Sequence, residues 1–296
     1  MGFNPRQLGM WLTVLAYSLL SWQDATVKWL VTTVPLWHVL FVRSGVIVAA
    51  CLLAGRSRLI LHVASSPNLP LLLRRGLVTL VAWICYFSAA RYLPLGQLTT
   101  LYFTAPIVVA LLAAPLLGER VGPARWAAIG LGFLGAVLAC EPLASEPGEM
   151  QFSWPTAAVL FSAVLWGYGA ILTRQIARRE PTLAQLFCTN LFFLVAAAVL
   201  LPFTWRAPSG VELLLLLQAS VLGGLGQWAL FEGARHVPAS LAAPLEYSSL
   251  VWAFLLGFLV WGDAPSPAVM TAAMLILSAG VGLLLAERRR REPGGR

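Results

Sequence analysis

Residues 90–106 read A-R-Y-L-P-L-G-Q-L-T-T-L-Y-F-T-A-P, and an apolar run then closes on P-L-L-G-E at 115–119. The framework returns 144 positions later. Ala90, Arg91, Pro94, Leu101, Leu111, Leu112 and Gly118 recur as Ala234, Arg235, Pro238, Leu245, Leu255, Leu256 and Gly262. Glu119 becomes Asp263, Phe103 becomes Tyr247 and Thr104 becomes Ser248. The offset extends outward from this stretch, carrying Ser18 to Ser162, Trp22 to Trp166, Phe87 to Phe231 and Pro123 to Pro267. Two such units nearly fill the 296 residues. The chain therefore reads as a duplication, one copy over 1–144 and a second over 145–296, and any fold assignment must respect it.

Composition decides the solvent. The chain is 59% hydrophobic and 11% charged, against roughly 25% charged in a soluble domain. Its mean hydropathy is +0.80. Such a chain cannot cover a water-facing surface, so it reads as an all-α integral membrane protein surrounded by lipid. A bilayer core of about 30 Å takes roughly 20 apolar residues per helix. Ten runs of that size are expected, over 8–30, 35–55, 70–90, 96–117, 123–140, 152–172, 182–202, 211–233, 238–260 and 267–286. Prolines at 35, 70, 94, 123, 181, 238 and 267 mark their boundaries, where a helix can start but not continue. The first run is too long for a cleavable signal. Cys51, Cys85, Cys140 and Cys188 are widely spaced in or at the ends of apolar runs and read as packing residues, with no disulfide or metal site.

The net charge of +8 does not imply nucleic acid, because the basic residues sit at loop edges and in the tail. They define orientation instead. With the N-terminus inside, sixteen of the twenty Lys and Arg residues fall on the cytoplasmic side, among them Arg74, Arg75, Arg174 and the 288–291 run. Only Lys28, Arg91 and Arg206 fall outside, and Arg43 lies within a span. Both termini are thus expected in the cytoplasm. Five spans per copy is an odd number, so the second copy enters the membrane inverted. Two five-helix repeats of inverted topology are the usual architecture of secondary transporters, with a site near the midplane.

The residues of the repeat also resemble the drug/metabolite transporter superfamily in its EamA-type ten-helix form. The resemblance rests on R-Y-L-P-L-G-Q-L-T-T-L-Y-F-T-A-P at 91–106, L-L-G-E-R-V at 116–121 and R-W-A-A-I-G-L-G-F-L-G at 125–135, echoed by Pro238, Glu246 and W-G-D at 261–263. It implies a central cavity lined by spans one, three, four, six, eight and nine, with spans five and ten peripheral. It further implies transport of small metabolites, commonly amino acids or their relatives and often outward, across the inner membrane. Other solutes, such as a nucleotide-type metabolite or a cationic drug, stay open. The second copy departs from L-L-G-E-R-V, reading L-V-W-G-D-A.

Ionisable groups inside a bilayer cost at least about 2.5 kcal/mol each and are functional candidates by default. Glu246 lies roughly 12 Å into span nine and Arg43 roughly 12 Å into span two from the other face. They are expected either to hold a zwitterionic solute or transfer a proton, or to form a permanent ion pair. Asp24 and Lys28, spaced i, i+4 with the acid first, suit an intrahelical pair at the cavity mouth, and Asp24 could instead meet Arg43. Trp22 and its mate Trp166, with Tyr86, Tyr102, Tyr168 and Tyr247, lie in spans that the resemblance places at the cavity, where a phenol needs a polar partner. Gln227 is the repeat mate of Trp83, so one wall is polar where the other is apolar. Tyr102 and Glu246 are also repeat mates, and pseudo-symmetry would set a phenol against a carboxylate.

Pro106, Pro115 and Pro244 would kink spans four and nine, and Gly223, Gly224 and Gly226 would loosen span eight. Ala128, Gly132 and Ala136 form a small-residue ridge that could pack within a monomer or between the copies of a homodimer. An intramembrane lipid-modifying enzyme would need clustered His, Asp or Cys, but His38, His62 and His236 are scattered. A channel would need a charge ring or re-entrant loop. No G-x-x-x-x-G-K-[ST] motif is present, so no cofactor is implied and the expected partner is a small organic solute.

Overall fold

The structure is a computed structural model. It describes residues 5–105, 153–177, 179–236 and 246–278 except 247 and 276, together with single positions between 108 and 138. Every regular element among the described residues is a helix. We label them α1 (Pro5–Leu30), α2 (Leu36–Ala64), α3 (Leu69–Ala90), α4 (Leu95–Tyr102), α5 (Trp154–Ala177), α6 (Thr182–Thr204), α7 (Gly210–His236) and α8 (Ser248–Trp261). Residues 267–275 form α9. Five of these, α2, α3, α5, α6 and α7, are long and apolar enough to cross a membrane. Most of the expected fifth span, most of the second half of the fourth, the 141–151 loop, Cys140, Tyr247, the small-residue ridge and Pro106, Pro115 and Pro244 lie outside the described residues.

Prolines start the helices as their chemistry dictates. Pro35, Pro94 and Pro181 immediately precede α2, α4 and α6, and Pro70 occupies the first turn of α3. Helix α7 starts with a capping box: the Glu212 amide donates to Ser209 Oγ (3.3 Å), and the Ser209 amide donates to the Glu212 carboxylate (2.8 Å). The second expected run, ending at 55, is too short. The chain kinks at Arg56, whose φ of 52° lies in the left-handed region. The helix then continues to Ala64, because Leu59 and Val63 still find apolar partners to bury against.

Repeat mates run antiparallel. At one end of the α2–α6 pair, His38 stacks on Trp205, and at the other His62 meets Glu180. In the α4–α8 pair Gly96 abuts Phe254 at the start of α4, and Tyr102 reaches Glu246 at its end. The remaining major contacts, α1 with α7 and α3 with α5, are equivalent under the same exchange of halves.

The core has two apolar layers. One holds Val39, Leu40, Leu80, Phe87, Val159, Phe193 and Leu216, the other Ile47, Val48, Leu72, Ile176, Phe187 and Phe231. Between them, five helices present buried or half-buried polar or glycine positions. These are Arg43 and Ser44 on α2, Arg75 and Thr79 on α3, Thr173 on α5, Thr189 and Asn190 on α6, and Gly223 and Gln227 on α7. A polar belt inside a membrane bundle is costly unless its groups satisfy one another or serve a solute. Arg43, in this belt, is the first of the candidate residues.

Candidate functional site

Arg43 is the hub of the belt and is 0% exposed. Its Nε donates to Gln23 Oε1 of α1 (2.9 Å) and its Nη1 to Asn190 Oδ1 of α6 (3.3 Å). The guanidinium lies 4.8 Å from the ring centre of Trp83 on α3, a cation–π contact of roughly 0.5–2 kcal/mol. Asn190 Nδ2 donates in turn to Gln227 Oε1 of α7 (3.0 Å), and Gln23 Nε2 to Asp24 Oδ1 (3.2 Å). A chain of hydrogen bonds thus runs Asp24, Gln23, Arg43, Asn190, Gln227 across four helices, and Arg43 Nη2 has no partner among the described residues.

Gly223 makes this convergence possible. A Cβ there would overlap Gln23 Oε1 and come within 2.8 Å of Arg43 Nε. Gly226 lies similarly under Leu20, 2.9 Å from where its Cβ would be. Contrary to the expectation that these glycines loosen their span, α7 is continuous over Gly210–His236, and they let α1 and α2 approach it.

Glu246 belongs to a second cluster. Its Oε1 accepts from the Tyr102 hydroxyl at 3.2 Å, and the Tyr17 hydroxyl of α1 bonds to the same carboxylate. Arg174 of α5 acts on it at longer range. The Tyr102 ring meets Tyr86 at 5.9 Å and Trp166 at 6.2 Å, both edge-on. Edge-to-face geometry directs the positive ring edge to the negative face of its neighbour. Tyr86 continues to Phe87 (5.0 Å) and Phe87 to Trp83 (4.1 Å). A ladder of rings therefore connects the carboxylate of Glu246 to the guanidinium of Arg43. Tyr17, Asp24, Tyr102, Trp166 and Glu246 all remain partly accessible.

Three expectations are corrected. Arg43 and Glu246 form no ion pair: Arg43 faces α1, α6 and α7, while Glu246 faces α1 and α4, and each has its own neutral partners. Asp24 and Lys28 do not pair. Lys28 lies 3.5 Å from Asp263, the mate of Glu119, and 4.5 Å from the Trp261 ring centre, because its face of α1 packs on the end of α8. Arg75 is no cytoplasmic loop charge; it is 4% exposed inside α3.

Of the other candidates, Tyr86, Tyr102, Trp166 and Glu246 share one cluster, and Asp24, Arg43 and Gln227 the other. Trp22, 43% exposed, meets Trp252 of α8 at 5.9 Å. Tyr168 stands apart, with Arg74 5.1 Å from its ring centre. Gln23, Asn190 and Tyr17 are additions. The signal for Asn190 is an amide in the middle of the otherwise apolar stretch L-F-C-T-N-L-F-F at 186–193.

The pattern of the EamA-like transporter family matches residues 7–140 and again 153–285. This chain belongs to that family. As an EamA-like transporter with several apolar helices of spanning length, it is a multi-pass membrane protein. It is 32% identical over 214 residues to a riboflavin transporter of Rhizobium johnstonii, covering 72% of this chain and 68% of that one. It is 29% identical over 279 residues to a pseudopaline exporter of Pseudomonas aeruginosa, covering 93% and 95%. An S-adenosylmethionine uptake transporter of Rickettsia felis shares 25% over 218 residues, covering 73% and 71%. A crystal structure at 22% identity matches 97% of this EamA-like chain and 99% of its own with a TM-score of 0.66, a likeness of fold alone.

Proposed function

We propose that this EamA-like protein is a secondary transporter that moves a small organic solute carrying both cationic and anionic groups, an amino acid or a related compound. Ten spans in two inverted five-helix repeats, divided at 144/145, would expose the cavity to one side at a time, in the inner membrane with both termini cytoplasmic. The antiparallel course of repeat mates supports the inversion. The observation that carries the reading is the separation of charge between the two clusters: Glu246 among Tyr17, Tyr102 and Trp166 at one end of an aromatic ladder, and at the other Arg43, fully buried in this conformation and with Nη2 unpartnered among the described residues. A carboxylate among aromatic faces suits an ammonium group, and a guanidinium suits a carboxylate. The relatives named above transport riboflavin, pseudopaline and S-adenosylmethionine, organic molecules rather than bare ions, which supports a substrate of that kind. The exporter is the relative matched nearly end to end, which favours outward movement.

Saturable flux of amino acids and their derivatives in proteoliposomes tests the proposal, with nucleosides and cationic drugs as comparison solutes. Glu246→Gln is expected to reduce flux more than Asp24→Asn. Absence of saturable flux across the panel refutes the reading, and equal flux from the two variants removes Glu246 from its central place.

A further inference from the structure

Several of the buried or near-membrane cations have an opposite charge close by. Lys28 has Asp263, Arg206 has Glu212, and Arg43 is linked to Asp24 by two hydrogen bonds through Gln23. Arg75 departs from this pattern. Its Nε donates to Thr173 Oγ1 of α5 (2.7 Å), its Nη1 to Thr189 Oγ1 of α6 (2.8 Å), and its guanidinium lies 4.4 Å from the Phe231 ring centre of α7. These are all neutral groups, and among the described residues no carboxylate comes within ion-pair distance of it. A guanidinium buried in a membrane without a counter-charge is strongly unfavourable. Thr173 Oγ1 accepts from the arginine and gives its own hydrogen to the Gly169 carbonyl (2.8 Å), whereas the Thr189 hydroxyl accepts from the arginine and can donate its hydrogen elsewhere.

The placement of Arg75 adds to this. Arg43 is seven residues from the start of α2 and Arg75 six residues from the start of α3, and these helix starts are at opposite faces. At 1.5 Å per residue they lie roughly 10 Å and 9 Å deep from the two sides. Both are anchored to consecutive residues of α6, Arg43 to Asn190 and Arg75 to Thr189. Arg43 is sealed, whereas Arg75 keeps a 4% exposure.

We propose that Arg75, with Thr173 and Thr189, is a binding site for an oxyanion, the carboxylate or phosphate group of the transported solute, on the opposite side of the belt from Arg43. The guanidinium offers the anion the N–H groups of Nη1 and Nη2 that the threonines do not use, and the Thr189 hydroxyl turns to donate to it. This deepens the transport reading and rests on it for the anion's being part of the solute.

Melting temperature in nanodiscs of neutral phosphatidylcholine, with benzoate or inorganic phosphate titrated against chloride at constant ionic strength, tests the site. A saturable rise is expected for the unmodified protein, since a ligand of the folded state stabilises it by mass action. Arg75→Gln should raise the half-effect concentration by about tenfold or more, because a charge-assisted bidentate contact is lost. Arg75→Lys should weaken the response because its point charge lacks the fork. Thr189→Val keeps the arginine and should weaken the response too, which covers the case of Arg75→Gln failing to fold. An unmodified protein indifferent to both anions overturns the site, as does an Arg75→Gln response equal to the original or one abolished only by Arg43→Gln. A response to added phosphatidylglycerol but to neither free anion makes it a lipid contact and overturns the solute reading. Flux measured in parallel separates the two ideas. Absent flux with Arg75-dependent anion binding refutes transport alone, and flux without such binding refutes the site alone.

Discussion

The two charged centres of the belt are built on opposite plans. Arg43 is sealed, held by amides from two helices and an indole from a third, with a glycine of a fourth beneath it. Glu246 is partly accessible and held by phenols. A guanidinium that joins five helices sets the geometry of the bundle, so disturbing it should cost stability first. A partly accessible carboxylate, bound by hydroxyls that can reorient, can exchange those partners for a solute, so disturbing it should cost transport first.

The largest expected break in this contrast is Gly223→Val. It drives a side chain into Gln23 and Arg43, and overpacking of this kind costs ~3 kcal/mol. Unfolding in mixed micelles should show a clear loss of stability, and an unchanged midpoint would mean that α1 and α7 are not held at this distance. Glu246→Gln should behave oppositely. Flux is expected to fall roughly tenfold or more, the equivalent of ~1.4 kcal/mol, while the melting temperature stays close to the original. Tyr102→Phe removes one hydrogen bond to that carboxylate, worth about 1 kcal/mol. It should lower flux roughly fivefold, less than Glu246→Gln does, and the reverse order would reassign the main role to the phenol.

The smallest effect concerns a charge outside both centres. Glu180, between α5 and α6, is pushed upward in pKa by burial. Hydrogen bonds from Ser66 (2.5 Å), Asn68 (2.7 Å) and His62 (2.9 Å) outweigh this and hold it below the usual 4.5. A depressed carboxyl pKa contributes stability that is present above 4.5 and lost as pH falls through the folded-state value. Melting temperature should therefore drop on acidification below 4.5, and Glu180→Gln should flatten that part of the profile. A profile unchanged by the substitution would show that this cluster does not link the α2–α3 and α5–α6 connections.

The contact between Tyr102 and Glu246 is legible in the sequence, because inverted mates next to a pseudo-twofold axis must face each other. The partners of Arg43 are not. Gln23 and Asn190 have Gly167 and Val46 as repeat mates, so symmetry offers no hint that they converge. Arg75 is hidden for another reason. It follows Arg74 near a helix start, and a pair of basic residues there reads as an interfacial anchor. One position apart on a helix is a turn of about 100°, which puts Arg74 on Tyr168 and Arg75 in the core. Lys28 illustrates the same limit, since i, i+4 spacing permits Asp24 and the end of α8 supplies Asp263 instead.

Sequence alone determined that this chain is helical, apolar enough for a membrane, duplicated with an odd number of expected spans per copy, and a member by resemblance of a transporter superfamily. Those properties depend on composition, period and charge asymmetry, which are written along one dimension. Only the tertiary structure decided which buried charges meet. A hydrogen bond forms or fails over less than 1 Å, and whether Arg43 reaches Gln23 or Glu246 depends on how each helix is rotated against its neighbours. That rotation is set by packing at positions such as Gly223, far from the charged residues in sequence.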